Sequence, residues 1–412
     1  MYRLRISILV FYLVYGQIMS AAEIVVCPDC KVKSITSALI SAKSGDQLII
    51  KKGHYKEGNL TINVPLTLQG EAGAIIEPPE GMEGIIVTAD SVSILNLEIR
   101  NISISYIKEL SAIRVKENRK TKILNNRLIN TFFAIYLQKA KEVEVRGNTV
   151  KGIAKDEASS GNGVHAWYCT DLIVADNYFS GHRDGIYFEF VDRSLVHRNI
   201  SEKNLRYGLH YMFSNNDRYT DNRFTNNGAG VAVMFSKNID MINNHFNLNW
   251  GRSSYGLLLK EITDAYIAHN HFEKNTMGIH IEGVSRISFQ HNLFSNNGMA
   301  LEVTGGCLSS EFCGNNFMTN TLDMTLKGNI NDNSFDGNYW SSYSGYDLNK
   351  DGFGDVPFRP VKLFSHVLNQ IPESIILLRS LFIDIVDFAE KINPALTPVD
   401  LLDRIPLIKP LK

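Results

Sequence analysis

The chain has 412 residues, 44% of them hydrophobic, with 42 Lys and Arg against 43 Asp and Glu and a net charge of -1. That apolar fraction belongs to an ordinary globular protein with a large core, not to a disordered or collagen-like chain. Near-neutral charge excludes nucleic acid from the expected partners.

The first element in chain order is a leader. Arg3 and Arg5 precede an apolar stretch from Ile6 to Val14, and the small residues Ser20, Ala21 and Ala22 follow. This pattern predicts a secretory signal peptide over 1–22, too short for a membrane anchor and cleaved after Ala21 or Ala22, so that the mature protein works outside the cytoplasm. In an oxidising compartment Cys27 with Cys30, or Cys307 with Cys313, could form a disulfide, leaving Cys169 alone; Cys27 and Cys30 could equally hold Cu(I) in passing. Residues 23–111 read as a cap with irregular coils. Ser34 to Lys43 suits a short helix with Ile35, Ala38, Leu39 and Ala42 on one face, followed by a strand at Leu48-Ile49-Ile50.

From 112 to 337 the sequence repeats at a period of about twenty-two residues. Copies open with a small residue and an apolar/any/apolar triplet, as in Gly185-Ile186-Tyr187-Phe188, Gly208-Leu209-His210-Tyr211 and Gly230-Val231-Ala232-Val233. Fourteen residues later comes an Asn, as at Asn199, Asn222 and Asn244, and often a second Asn five residues further on. Period-two alternation means strand, and the repeat length leaves room for three short strands and three turns. The expected fold is all-β: a right-handed parallel β-helix with an N-terminal cap helix and a C-terminal helical tail. The Asn columns are expected at left-handed turns, where stacked amides hydrogen-bond along the stack.

Alternation points the middle residue of each triplet, and the residue after the triplet, outward. One predicted exposed column runs through Tyr136, His165, Tyr187 and His210, and its neighbour through Trp167, Glu189, Met212 and Met234. The two methionines should be adjacent, with His210 on the same face and His165 two coils away in the same column. Thioethers and imidazole suit Cu(I); alternatively, the methionines sit beneath the C-terminal tail as packing. The turn Gly181-His182-Arg183-Asp184-Gly185 offers a competing site, in which His182 is the base of a uronate lyase or epimerase; otherwise Arg183 and Asp184 merely pair at a turn. No acidic cluster on neighbouring coils completes that site.

Residues 338–360 contain Asp347-x-Asn349-x-Asp351-Gly352-x-Gly354-Asp355. Oxygen ligands at alternate positions with Gly at the sixth fit a structural Ca²⁺ loop held by Asp347, Asn349, Asp351 and Asp355, although Phe358 stands where a bidentate Glu would be; an acidic solvent-exposed turn is the alternative. The tail, 361–412, predicts a helix from Pro372 to about Ile392, with a stripe of Ile375, Leu378, Phe382, Ile385 and Phe388 or Ala389. That helix either caps the stack or docks on a partner. A phosphate-binding Gly-rich motif with Lys is absent from the sequence.

Several stretches resemble the NosD family of nitrous oxide reductase maturation proteins. They include Gly161-Asn162-Gly163-Val164-His165, His182-Arg183-Asp184-Gly185-Ile186, Arg206-Tyr207-Gly208-Leu209-His210-Tyr211-Met212 and Gly230-Val231-Ala232-Val233-Met234-Phe235-Ser236. Asn338-Tyr339-Trp340, Asp351-Gly352-Phe353-Gly354-Asp355 and Arg359-Pro360 belong to the same likeness. The resemblance implies a periplasmic, non-enzymatic β-helix with a CASH-type domain. It implies work beside an ABC transporter with a NosF-type ATPase and NosY-type membrane subunits, and with a NosL-type copper chaperone. The implied task is assembly of the copper centres of nitrous oxide reductase. It supplies no ligand positions; His210, Met212, Met234 and His165 come from column geometry alone. A carbohydrate-active enzyme and a purely structural scaffold are the alternatives.

Overall fold

The computed structural model describes residues 21–411 except 252–253, 328–329, 378–379 and 394–400. The expected signal peptide therefore lies almost wholly outside the described residues. Short strands stack in parallel register into one sheet of 25 strands, which carries two faces of the coil, and one of 13 strands, which carries the third. The result is the expected parallel β-helix.

Residues 23–111 already belong to the stack: Leu48 pairs with Leu68, Leu68 with Ile94 and Ile94 with Ile123. Helix α1, Ile35–Ser41, buries Ile35, Ala38 and Leu39 against the first coil. Its free amides at Ile35 and Thr36 donate to the Glu57 carboxylate at 2.9 and 2.8 Å, which satisfies donors that every helix start leaves open. Cys27 and Cys30 form a disulfide, whereas Cys169, Cys307 and Cys313 are free.

The core is built of like residues stacked on like. Phe246, Phe272, Phe294, Phe317 and Trp340 lie face to face with centroids 4.1 to 4.9 Å apart. Beside them runs the Asn ladder. The Asn222 Nδ2 donates to Asn244 Oδ1 at 3.0 Å and to the Val196 carbonyl at 2.9 Å, and the pattern continues to Asn338. The Asn columns are buried, and the left-handed backbone at these corners falls on the residue before each: Asn125, Asp176, Asp221 and Asn243 have φ of 55 to 59°. The expectation that the ladder Asn itself takes the left-handed turn is corrected. Its role is to fill the corner from inside and pair carbonyls that the turn would strand.

The tail departs from expectation. The predicted single helix is a 3-10 turn, Pro372–Leu377, followed by helix α3, Leu381–Ile392, with an additional helix α2 at Leu363–Gln370. Leu378 lies outside the described residues. Phe364 and Leu368 of α2 pack with Ile383 of α3 on Leu322 and Met299. The expected stripe is not the packed one: Phe382, Ile385 and Phe388 are exposed. The residue of α3 that meets the stack is Ile383. The last residues then return to the coil end, where Asp403 accepts from Trp340 Nε1 at 2.8 Å and from the amides of Gly337 and Asn338 at 3.0 Å.

Candidate copper site on the outer columns

Strand register builds the columns as alternation predicts. Tyr136 pairs with His165, His165 with Tyr187, and Tyr187 with His210; Glu189 pairs with Met212 and Met212 with Met234. The first column is not exposed, contrary to expectation. Its rings stand one coil apart, at 4.5, 4.8 and 5.0 Å between centroids, and cover one another. Phe133 packs against His165 and Tyr207 against His210 from the residues before the openings. His165 and His210 are consequently buried at 8% and 4% exposure. Met212 and Met234 keep partial exposure.

Charge is gathered behind His210. Asp184 is fully buried and accepts from Arg206 Nε and Nη2 at 3.1 and 2.9 Å. Burial opposes its ionisation, but His210 and Arg206 outweigh burial and its pKa is lowered. Arg206 Nη2 also donates to His210 Nδ1 at 3.1 Å, and Asp184 Oδ2 stands 3.9 Å from that nitrogen. Burial first, with neighbouring Arg206 and Arg183, lowers the His210 pKa against the pull of Asp184. Its Nε2 is buried without a partner. The Tyr187 hydroxyl donates to Met212 Sδ at 3.7 Å, so one tyrosine joins the histidine and the thioether. The donor types suit Cu(I): two sulfurs in direct register and an imidazole whose Nε2 has no partner. Because Nδ1 accepts from Arg206, the neutral ring carries its proton on Nε2. An ion there would require that proton to move to Nδ1 and the Arg206 bond to give way to Asp184.

His165 is not brought to this group, because Tyr187 separates it from His210; Asn162 donates to its Nδ1 at 3.1 Å and burial lowers its pKa to about 3. Nor does the tail cover the methionines, since its packed residues meet Leu322 and Met299. The proposed base His182 is enclosed: it is buried, its Nε2 lies 3.2 Å from Thr131 Oγ1, and burial lowers its pKa to about 4. A side chain so placed cannot meet a polymer, and the His182 lyase site is withdrawn.

In the acidic loop, Asp347 accepts from the amides of Asp351 and Gly352 at 3.2 and 2.9 Å, and Asp355 accepts from Leu348 at 2.7 Å. Asn349 accepts from the Asp351 amide at 3.1 Å, and Asp351 from Phe353 at 2.9 Å. The oxygens are thus engaged by backbone, and among the described residues no group of three or more His, Cys, Asp and Glu is arranged to hold a metal.

One feature of the outer face escaped the sequence reading. Beside the methionine column, Tyr168, Phe190, Phe213 and Phe235 stack in four successive coils. Four aromatics at a spacing of one coil, each directly after the outward column, would have been the signal.

A family model described as "Periplasmic copper-binding protein (NosD)" matches residues 151–345. A "Probable ABC transporter binding protein NosD" of Stutzerimonas stutzeri is 26% identical over 426 aligned positions, covering 92% of this chain and 90% of the relative. A protein of the same description from Pseudomonas aeruginosa is 28% identical over 376, covering 87% of each. Among solved structures, DFA-IIIase from Arthrobacter chlorophenolicus matches with a TM-score of 0.52 at 11% identity, covering 75% of this chain and 93% of the enzyme, a likeness of fold alone. The two near full-length relatives and the family match over the central coils, where the outer columns lie, make this chain similar to the NosD proteins.

Proposed function

We propose that the chain is a periplasmic copper-handling protein that serves an ABC transporter, and that it holds Cu(I) at Met212 and Met234 with His210 during assembly of the copper centres of nitrous oxide reductase. The observation that carries this reading is the direct register of Met212 with Met234 beside a buried, uncommitted His210 Nε2. The names of the two relatives supply the transporter, and the family description supplies copper and the periplasm. The ion is cargo: a neutral imidazole and two thioethers hold it reversibly, and a change of posture driven by the NosF-type ATPase through NosY-type membrane subunits would alter affinity and so drive release. A NosL-type chaperone would be the source of the ion. His165, outside the ligand group, keeps a packing role.

No described helix is long and apolar enough to cross a membrane. The exposed face of α3, with Phe382, Ile385 and Phe388, suits docking in an apolar groove of the membrane subunits. A Ca²⁺ ion at Asp347, Asn349, Asp351 and Asp355 would draw their oxygens away from the backbone amides and stiffen the loop.

Cu(I) titration against a competing chelator tests the site. Met212→Ala with Met234→Ala should abolish retention, and unchanged binding would remove the assignment. Phe382→Ser with Phe388→Ser should cut co-purification with the transporter at least tenfold while leaving Cu(I) affinity intact.

A further inference from the structure

Cys27 and Cys30 close a disulfide across the turn Cys27-Pro28-Asp29-Cys30 at the N-terminal end of the stack, with Cα atoms 5.0 Å apart. The turn is already held without it. The Cys30 amide donates to the Cys27 carbonyl and the Cys27 amide to the Val32 carbonyl, both at 3.2 Å, and Val26 pairs with Val32. Val26 is fully buried, and its carbonyl accepts from the Lys51 amide at 3.0 Å. A cross-link restricts the unfolded chain least when the loop it closes is short. This disulfide therefore adds little to the fold, and its opening leaves the hydrogen bonds of the turn in place.

The pair is also where sulfur chemistry is accessible. Cys27 and Cys30 are partly exposed, and Pro28 and Asp29 between them are exposed. Cys169 and Cys307 are buried, and burial raises each thiol pKa to about 11; burial raises that of Cys313 as well. The Cys169 thiol donates to the Leu137 and Trp167 carbonyls at 3.5 and 3.4 Å. Thiolate is the form that reacts and binds metals, and those three sites withhold it. Between residues 27 and 33, Lys31 and Lys33 stand against one carboxylate, Asp29, a balance that favours thiolate.

A C-x-x-C pair is half of a tetrahedral zinc site, but the other half is missing. Among the described residues no group of three or more His, Cys, Asp and Glu is arranged to hold a metal. Two thiolates without further ligands suit a soft monovalent ion such as Cu(I). We infer that Cys27 and Cys30 form a redox-gated site for one soft monovalent ion, closed as the disulfide and opened by a dithiol protein of the same compartment. The site takes no ligand from Met212, Met234 or His210. Opening is thiol–disulfide exchange. A thiolate of the dithiol protein attacks one sulfur of the pair, and a mixed disulfide forms as the Cys27–Cys30 bond breaks. The second thiolate of that protein then attacks its own bound sulfur and releases the pair. The dithiol protein is oxidised to a disulfide, the pair gains two electrons, and two protons pass from one dithiol to the other. The ion then displaces both protons and binds between the thiolates with no change of oxidation state.

The test treats the purified chain, under native conditions, with thioredoxin, thioredoxin reductase and NADPH. Two thiols more than in the untreated chain should react with maleimide, while the melting temperature stays that of the oxidised chain. The reduced chain should take a further Cu(I) from bicinchoninate that the oxidised chain leaves behind. Cys27→Ser should weaken this added binding at least tenfold, and Cys30→Ser serves if that variant does not fold. The gain should persist in Met212→Ala with Met234→Ala, which separates this site from the one on the outer columns. Thiols that appear only on unfolding, or a reduced chain that melts well below the oxidised one, would overturn the inference and make the disulfide a staple of the cap. A reduced chain that binds no further ion would overturn it too, as would a gain lost with the two methionines, which would place the ion there.

Discussion

Asp217 is the residue whose chemistry is least at ease in the stack. It points into the core, where the Ser194 amide and hydroxyl both donate to its Oδ1 at 2.8 Å. Its Oδ2 is buried without a partner, as are the hydroxyls of Tyr211 and Tyr219, whose rings stack 5.3 Å apart. Burial raises its pKa from 3.8 to about 8, against the lowering effect of the Ser194 hydrogen bonds. The folded state therefore holds the proton more tightly than the unfolded chain. Its contribution to stability is complete below pH 4 and is lost as pH rises toward 8. Asp217→Asn keeps an acceptor for Ser194 and removes the titration. Its melting temperature should gain on wild type steadily between pH 5 and 8, and parallel melting curves over that range would refute the assignment. The same residue marks a limit of the sequence. Register was legible, because a repeat fixes which residues of adjacent coils are neighbours; this placed Met212 beside Met234 and His210 in line with Tyr187. Alternation gives only the side of the sheet. It could not say that the outer rings bury one another, nor that Asp217 Oδ2 is left without a partner.

At the scale of elements, the corners and ends do more than the strands alone suggest. The Asn columns were legible as a ladder, but which residue takes the left-handed turn was not, since both residues at the corner are often polar. The C-terminal segment was the larger miss. Asp403 lies in a stretch without periodicity, and nothing local announces that it accepts from Trp340, Gly337 and Asn338 more than sixty residues earlier. It ends the polar ladder where no further Asn is available. Asp403→Ala strands three buried donors, each costing about 1 kcal/mol or more. We expect a loss of at least about 3 kcal/mol in urea unfolding, with Asp403→Asn milder because one oxygen remains. A neutral Asp403→Ala would mean that water replaces the carboxylate and that the segment is not a cap. The helical tail was misread for a related reason: an apolar stripe shows that a helix has two faces, not which of them the neighbouring element takes. Ile383 packs because α2 lies beneath it, and α2 itself carried no strong cap signal.

The whole molecule is a one-dimensional stack, in which each coil contacts only its neighbours and stability is close to a sum of coil and interface contributions. Position along the axis should then decide how far a local defect spreads. Asn222 sits mid-stack, accepting from the Asn199 amide at 2.9 Å and amide side chain at 3.0 Å while donating to Asn244 and Val196. Asn338 does comparable work on the last coil, accepting from Asn315 at 3.0 and 2.9 Å and donating to Phe312 and Phe335. Either substitution to Ala leaves buried backbone groups unpaired at about 1–3 kcal/mol each. The costs are similar and the consequences should differ. Asn338→Ala releases an end coil, so hydrogen exchange should quicken after Asn315 and leave the central amides as slow as in wild type. Asn222→Ala weakens the junction through which both halves support each other, within the coils that carry Met212 and Met234. It should quicken exchange on both sides of the site and lower the protection of the slowest amides in the protein. Equal spreading from both positions would show that the solenoid unfolds as one cooperative block, and the separation between a firm centre and fraying ends would have to be abandoned.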